Sequence, residues 1–316
     1  MQIIKKEVLS TDGEHTLRGV LYLPEGKPKG ALQIAHGMKE HIGRYHDFMT
    51  AVAEAGYAVF GHDHLGHGMT AEDTDELGYF AERNGWRIVS QDIHAFAARI
   101  KKDLPRATPM MLLGHSMGSF LSRAAVVMHP GFYDALIIMG TGGPNPASSA
   151  GLLLTRTIMK QYGDMYISEM ANDLIFASYN KRTNSDKEFA WLTHDEEMLA
   201  KHDRDPLCLF PFTVSAIHDL IAVQKAVNRS EWFRSVDREL PILLVSGEED
   251  PVGAYGKGVK AVYHGLRHAG AIHVAIKLYP SMRHEILNEI GREIVYLDIL
   301  EFLGAVCEGF FKAEND

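Results

Sequence analysis

The sequence of 316 residues is poor in cysteine and has no long apolar run. Its two cysteines, Cys208 and Cys307, are too few for a disulfide framework and fit a reducing compartment. No apolar run approaches the ~20 residues of a membrane-spanning helix, and residues 1–7 lack the apolar core of a signal peptide. These absences predict a cytoplasmic protein without stable membrane insertion.

The sequence also lacks an excess of positive charge. Its 32 basic and 41 acidic residues give a formal net charge of −9, which argues against nucleic acid or an anionic membrane surface as the main partner. With 46% hydrophobic and 23% charged residues, the composition is that of a globular protein long enough to bury a full core. None of these properties specifies an oligomeric state.

The stretch that constrains the fold most is residues 110–120. An apolar run is followed by Gly114-His115-Ser116-Met117-Gly118, and then by apolar residues at helical spacing. The pentapeptide alone also arises by chance, but between a strand and a helix it predicts a nucleophile elbow, which raises a serine hydroxyl above the sheet. Gly114 and Gly118 are expected because a Cβ at either position would collide with the neighbouring strand and helix.

Apolar runs and amphipathic segments alternate along most of the chain. Strands are predicted at 2–9, 16–23, 30–35, 57–60, 110–113, 135–139, 241–245 and 274–279. Helices between them include 253–267, and a long terminal helix is predicted to carry Ile286, Leu287 and Ile290. The alternation predicts an α/β fold with a mostly parallel eight-stranded sheet and helices on both faces. Residues 142–234 lack this rhythm and predict a helical lid inserted into a core of residues 1–141 and 235–316.

A serine hydroxyl needs a base to act as a nucleophile, and a histidine base needs a carboxylate to orient it. With an elbow of this kind, the order along the chain is serine, acid, histidine. Asp250 closes one predicted strand and His284 follows the next, so Ser116, Asp250 and His284 are the predicted catalytic triad. Glu248 and Glu249 are rival acids, but a proline directly after Asp250 pins its loop. A helix cap is the alternative role for Asp250.

An oxyanion hole requires two backbone N–H groups. Met117, directly after the serine, is predicted to supply one of them. Met38, in the loop after the strand at 30–35, is predicted to supply the other, and Gly37 allows the backbone to approach closely.

Three histidines, His62, His64 and His67, lie in a glycine-rich loop at residues 61–68. These histidines could be metal ligands. Their spacing matches no known zinc pattern well, and a Ser-His-Asp triad needs no metal, so we expect no metal ion and no cofactor. We expect Asp63 to pin this loop beside the oxyanion loop.

Together these motifs resemble the α/β-hydrolase superfamily, and more narrowly its monoacylglycerol lipase and lysophospholipase branch. The resemblance rests on segments 36–45, 63–68, 114–118, 250–253 and 283–289, and within the lid on 189–195 and 205–208. It implies the same triad, the same two oxyanion donors and a lid that faces a membrane or gates the substrate.

The resemblance also implies a reaction. It is hydrolysis of a small acyl ester or a monoacyl lipid through an acyl-enzyme. Residues matching Glu40 and Arg44 lie near the head-group end of the pocket in lipase members, and a structural ion pair is the alternative for them. The alternatives to a lipase are a short-chain carboxylesterase, a thioesterase, an amidase or iminopeptidase, or a non-catalytic ligand-binding homologue.

Overall fold

The predicted strands assemble into one sheet in a computed structural model, which describes residues 1–177, 179–183 and 185–311. The strands are β1 (Gln2–Leu9), β2 (Thr16–Leu23), β3 (Ala31–Ala35), β4 (Ala58–His62), β5 (Met110–His115), β6 (Ala135–Met139), β7 (Ile242–Gly247) and β8 (Val274–Tyr279). Their spatial order is β1-β2-β4-β3-β5-β6-β7-β8.

The sheet is mostly parallel, as predicted. β1 pairs antiparallel with β2, and β2 pairs antiparallel with β4. All further pairings from β4 to β8 are parallel. Because the carboxyl ends of parallel strands meet at one edge, the loops after β3, β5, β7 and β8 converge there, where sheets of this kind bind their ligands.

Helices cover both faces of the sheet. They are α1 (His46–Glu54), α2 (Gly85–Lys101), α3 (Met117–Met128), α4 (Ser148–Tyr162), α5 (Glu169–Phe176), α6 (Glu196–His202), α7 (Val214–Val227), α8 (Ser230–Ser235), α9 (Lys257–His268) and α10 (Glu293–Glu308). Buried residues of α2, α3, α7 and α9 share one apolar core, and those of α1 and α10 share another on the opposite face. This arrangement confirms the predicted fold class.

The predicted lid, residues 142–234, lies between β6 and β7. Its described residues form helices α4 to α8 with short 3₁₀ and irregular segments, and they contain no strand. Helix α7 packs against α4 and reaches into the core of the body through Val223 and Val227. Among the helices of the described chain, none is long and apolar enough to cross a membrane.

Two predicted helix starts are wrong. Helix α9 begins at Lys257 rather than at 253, because Ala254, Tyr255 and Gly256 have φ of 49°, 56° and 81°, which helices do not adopt. Helix α10 begins at Glu293, and Ile286–Asn288 is a separate 3₁₀ turn. Between them Gly291 has φ of 79°, which interrupts the helical path.

Asp219 of α7 joins the lid to the body. Its side chain is buried and accepts the backbone N–H groups of Gly85 and Trp86 at the start of α2. Burial raises the pKa of Asp219 from 3.8 to about 7, although the two hydrogen bonds act in the opposite direction. The carboxyl group therefore changes charge near neutral pH.

We expect Asp219→Asn to gain stability relative to the parent protein as pH rises from 4 to 8. A carboxyl whose folded pKa is raised contributes stability below its unfolded pKa, and this contribution is lost as pH rises through the folded pKa. The gain has an upper limit of about 4 kcal/mol, from three pKa units of about 1.4 kcal/mol each. Urea unfolding across this range measures it, and a difference between the two proteins that is constant with pH would contradict the assignment.

Candidate active site

Ser116 occupies a tight turn between β5 and α3. Its backbone has φ of 53° and ψ of −119°, a combination that residues with a Cβ rarely adopt. Its N–H donates to the carbonyl of Met139 on β6 at 3.0 Å, which ties the turn to the next strand. Ser116 is partly exposed, whereas its neighbours His115 and Met117 are buried, and it lines a large cavity.

The two elbow glycines lie where backbones approach most closely. A Cβ on Gly114 would meet the carbonyl of Gly118 and the hydroxyl of Ser122 on α3. A Cβ on Gly118 would meet the carbonyls of Ala35 and His36 at the end of β3. The strand and the helix therefore approach closely because neither residue has a side chain.

His284 and Asp250 form a hydrogen-bonded pair at the ends of β8 and β7. Nδ1 of His284 lies 2.9 Å from Oδ1 of Asp250, and both residues are buried. Asp250 also accepts the hydroxyl of Ser246 at 3.1 Å and the N–H of Val252 at 2.8 Å. Burial raises the pKa of Asp250, but the charge and hydrogen bonds around it, led by His284, outweigh this effect and lower the pKa. An ionised Asp250 requires Nδ1 of His284 to donate, which leaves Nε2 as the proton acceptor.

His284 and Ser116 line the same cavity. Nε2 of His284 is buried and has no hydrogen-bond partner in the part of the chain that the structure describes. The Ser116 hydroxyl therefore does not donate to it here. Such bonds commonly tighten only when substrate is present. The rival acids Glu248 and Glu249 are exposed, and the carboxylate of Glu249 faces His194 at 3.3 Å.

The loop after β3 runs beside Ser116. A Cβ on Gly37 would lie 2.7 Å from Oε1 of Glu40 and 3.1 Å from Cβ of Ser116, so a side chain here would crowd both residues. The N–H of Gly37 donates to Oε1 of Glu40 at 2.5 Å, and the N–H of Lys39 donates to Nε2 of His67 at 3.3 Å. These two bonds fix the loop on either side of Met38.

The two predicted oxyanion donors both line the cavity. Met117 is the first residue of α3, where a backbone N–H has no partner within the helix. The N–H of Met38 donates no hydrogen bond within residues 1–177, 179–183 and 185–311. Both N–H groups are thus available to a ligand near Ser116.

The histidine-rich loop, residues 61–68, packs against the loop that follows β3. Asp63 accepts the N–H of Ile42 at 2.8 Å and the N–H of Met69 at 2.7 Å, which pins the loop as expected. Burial lowers the pKa of His62 to about 3 and that of His67 to about 4, so both rings are neutral.

One group of possible metal ligands is found in the described chain, away from these histidines. It consists of His41, Asp205 and Cys208. Nε2 of His41 already bonds Asp205 at 2.8 Å, and burial raises the pKa of the Cys208 thiol to about 12. The structure therefore shows a His41–Asp205 hydrogen bond beside a protonated thiol at this position.

Sequence reasoning missed the main partner of Arg44. Its guanidinium forms two hydrogen bonds with the carboxylate of Glu285, at 2.6 and 2.7 Å, and a third with Glu40 at 3.1 Å. Glu40 and Glu285 are buried, Arg44 is largely buried, and all three line the cavity. Glu40 and Arg44 thus form an ion pair, and Glu285 extends it. The spacing of 241 residues between Arg44 and Glu285 gives no local signal for this contact.

His115 balances the second carboxylate of this cluster. Its Nδ1 lies 3.1 Å from Oε1 of Glu40, and its Nε2 lies 3.3 Å from the carbonyl oxygen of His284. Both partners accept hydrogen bonds, so a ring that donates from both nitrogens, and is positively charged, fits the site. Burial lowers the pKa of His115, but the hydrogen bond and charge of Glu40 outweigh it and raise the pKa.

A cavity of about 840 Å³ lies between the strand ends and the lid. One part is apolar and is lined by α4, α5 and α7 through Leu154, Ile175, Ile217, Leu220 and Ile221. The other part is polar and is lined by Lys39, Glu40, Arg44 and Glu285. Ser116 and His284 line the same cavity, so an ester there has an apolar wall on one side and charged groups on the other.

The fold and this arrangement of serine, histidine and aspartate define an α/β-hydrolase. The sequence profile of the family described as serine aminopeptidase, S33, matches residues 26–291. That match covers most of the chain, and the chain belongs to this family.

Two curated relatives and one solved structure extend the comparison. The chain is 24% identical to the monoacylglycerol lipase of Mycolicibacterium smegmatis, over 94% of this chain and 98% of that protein. It is 25% identical to the monoglyceride lipase of Rattus norvegicus, over 90% of this chain and 88% of that protein. It is 28% identical to a thermostable carboxyl esterase from Bacillus coagulans, solved with glycerol, with a TM-score of 0.91 over 97% of this chain and 99% of that one. These findings confirm the resemblance that the motifs indicated.

Proposed function

We propose that this protein is a serine hydrolase of carboxylic esters that acts on monoacyl lipids, in the manner of a monoacylglycerol lipase. The observation that carries the proposal is the His284–Asp250 pair at 2.9 Å beside an elbow serine, at a cavity with an apolar wall. The similarity to monoacylglycerol lipases and to a carboxyl esterase supports the same conclusion.

In the proposed reaction, Nε2 of His284 takes the hydroxyl proton of Ser116 as Oγ attacks the ester carbonyl. The N–H groups of Met38 and Met117 stabilise the oxyanion, an effect worth about 3 kcal/mol for each donor. His284 then donates the proton to the leaving alcohol. Water, activated by His284 in the same way, hydrolyses the acyl-enzyme. No step of this mechanism uses a metal ion or a cofactor.

The charges in the cavity favour an ester over an aminopeptide substrate. An aminopeptidase must hold the free ammonium group of its substrate, and a carboxylate is the side chain that does this. The acidic residues that line the cavity are Glu40 and Glu285, and Arg44 already pairs with both of them. Neither carboxylate is left for a substrate ammonium.

The lid presents exposed apolar side chains on α4, on α5 and on the segment between them. They are Leu153, Tyr162, Met165, Tyr166, Ile167, Met170 and Leu174. Tyr162 and Tyr166 stack at 4.7 Å, and a cluster of exposed apolar side chains is typical of a contact with a protein or a lipid surface. We propose that this surface of the lid contacts lipid aggregates and receives monoacyl substrates from them without stable insertion.

The proposed location of the protein is the cytoplasm. This proposal rests on the two free cysteines.

The proposal is tested by hydrolysis rates across 2- to 18-carbon monoacylglycerols, with Ser116→Ala as the blank. We expect a maximum at long chains. Leu220→Trp adds an indole to the α7 wall and should lower kcat/KM for the longest chains by about tenfold relative to short ones. Leu209→Trp, at an exposed lid position that does not line the cavity, should leave the profile unchanged. A maximum at 2 to 4 carbons in the parent protein would contradict the lipid substrate.

A further inference from the structure

One cation at the polar end of the cavity is not paired with a carboxylate in the part of the chain that the structure describes. Its carboxylates are Glu40 and Glu285, and the guanidinium of Arg44 and the imidazolium of His115 balance them. Lys39 lines the same cavity, and Cys208 lies close enough to influence the pKa of both Lys39 and Arg44, which places the Lys39 ammonium near these two pairs as a third cation. Its ammonium forms no ion pair or hydrogen bond with the described residues, so it is not used by the cluster.

Two aromatic rings of the lid hold the Lys39 ammonium in place. Nζ lies 5.4 Å from the ring centre of Phe176 and 5.3 Å from that of Phe189, and both rings line the cavity. Such contacts attract a cation but do not neutralise it. Burial lowers the pKa of Lys39, and the charge of Glu188, which lies too far away for an ion pair, acts in the opposite direction. An anionic ligand would stabilise this ammonium more than either ring does.

The backbone fixes where this side chain begins. Lys39 has φ of 55°, in the left-handed region that a lysine rarely occupies, and its N–H is held by His67. It directly follows Met38, the proposed oxyanion donor. The side chain therefore begins beside the proposed oxyanion donor and ends against Phe176 and Phe189, whereas Leu154, Ile217, Leu220 and Ile221 of α4 and α7 form the apolar wall for the acyl chain.

We propose that Lys39 binds an anionic group on the alcohol part of the substrate. Among monoacyl esters, those whose alcohol carries a phosphate or a carboxylate are then hydrolysed faster than neutral monoacylglycerols. This inference rests on the proposed ester hydrolysis and specifies its substrate class. The anion pairs with Lys39 and leaves the Arg44–Glu285 pair intact.

The test compares three esters of the same acyl chain, each below its aggregation concentration. They are octanoyl glycerol, octanoyl glycerol phosphate and the octanoyl ester of glyceric acid. The readout is the ratio of kcat/KM for each anionic ester to that for octanoyl glycerol. We expect Lys39→Met to lower this ratio by about tenfold or more, since a charge-assisted hydrogen bond is lost. The anion with the larger drop, phosphate or carboxylate, identifies the group that Lys39 binds.

Two further variants serve as controls. Lys39→Arg keeps the positive charge and should retain most of the ratio. Lys102→Met removes an exposed lysine that does not line the cavity and should leave the ratio unchanged. If Lys39→Met lowers kcat/KM equally for the neutral and the anionic esters, Lys39 only supports the loop and the inference is wrong.

Ionic strength gives a second test in the parent protein, which is independent of how any variant folds. Added salt should lower kcat/KM for the anionic esters and leave that for octanoyl glycerol nearly constant, because salt screens a partly exposed ammonium. Identical salt dependence for all three esters would overturn the inference. If the proposed ester hydrolysis itself is wrong, the parent protein will hydrolyse none of the three esters. That result would contradict both proposals and is distinct from the result that contradicts only the role of Lys39.

Discussion

Replacing Ser116 with alanine is expected to lower kcat/KM for a monoacyl ester by about 10⁵-fold, since the variant has no nucleophile for the first step. The elbow, the cavity and both oxyanion donors remain in place, so the variant should still bind its substrate. Steady-state hydrolysis, with product followed to low background, measures the loss.

Ser122→Ala is the matched control for this experiment. Ser122 lies on the same helix, α3, and its hydroxyl has no hydrogen-bond partner in the part of the chain described. Its removal should leave kcat/KM within about threefold, as for most substitutions away from the reacting groups. A Ser116→Ala protein with more than a tenth of the parent activity would show that another group attacks the ester.

Asp250→Asn is expected to lower kcat by about 10³- to 10⁴-fold with little change in KM. An asparagine amide keeps the shape of the side chain but removes the negative charge that orients His284 and stabilises its protonated form. The present carboxylate makes this bond at 2.9 Å in a buried site, where water does not replace it.

Glu249→Gln separates Asp250 from its rivals. Glu249 is the adjacent residue, it is exposed, and its carboxylate faces His194 rather than His284. We expect this variant to keep kcat within about threefold, because a surface ion pair contributes little. A greater loss from Glu249→Gln than from Asp250→Asn would show that Glu249, and not Asp250, is the catalytic acid.

The strands were predictable from the sequence because their signal is local. The buried strands β3 to β7 are short apolar runs bounded by glycine, proline or polar residues, and a parallel sheet covered on both faces needs such runs. The elbow is predictable for a similar reason, since Gly114 and Gly118 show where strand and helix must touch. The predicted starts of the last two helices failed because apolar spacing does not report backbone φ.

Residues 286–290 show this failure clearly. Ile286, Leu287 and Ile290 fit a helical spacing, yet the first two are buried by a 3₁₀ turn and Ile290 is exposed. The carboxylate of Glu289 accepts the N–H of Arg283 at 2.8 Å and that of Ile290 at 3.1 Å. The second bond satisfies an N–H group that a continuous helix would have used, and no sequence pattern predicts either bond.

In the candidate site, too, some residues were predictable from the sequence and others were not. Ser116, Asp250 and His284 follow from motifs and from their order along the chain, and these motifs also locate the loop of Met38. The pairing of Arg44 with Glu285, and the unused charge of Lys39, depend on contacts between distant segments. Such contacts leave no period or spacing in the sequence. Only the structure shows that Arg44 is paired with carboxylates and that Lys39 is not paired with one among the described residues.

The most direct test of the central claim is the intact mass of the protein after exposure to an alkyl fluorophosphonate. An activated serine displaces fluoride and keeps the phosphonyl group. We predict one adduct per chain, mapped to Ser116 by peptide fragmentation, and no adduct in Ser116→Ala. An adduct on any other residue, or no adduct on the active parent protein, would contradict the claim that Ser116 is the nucleophile of this hydrolase.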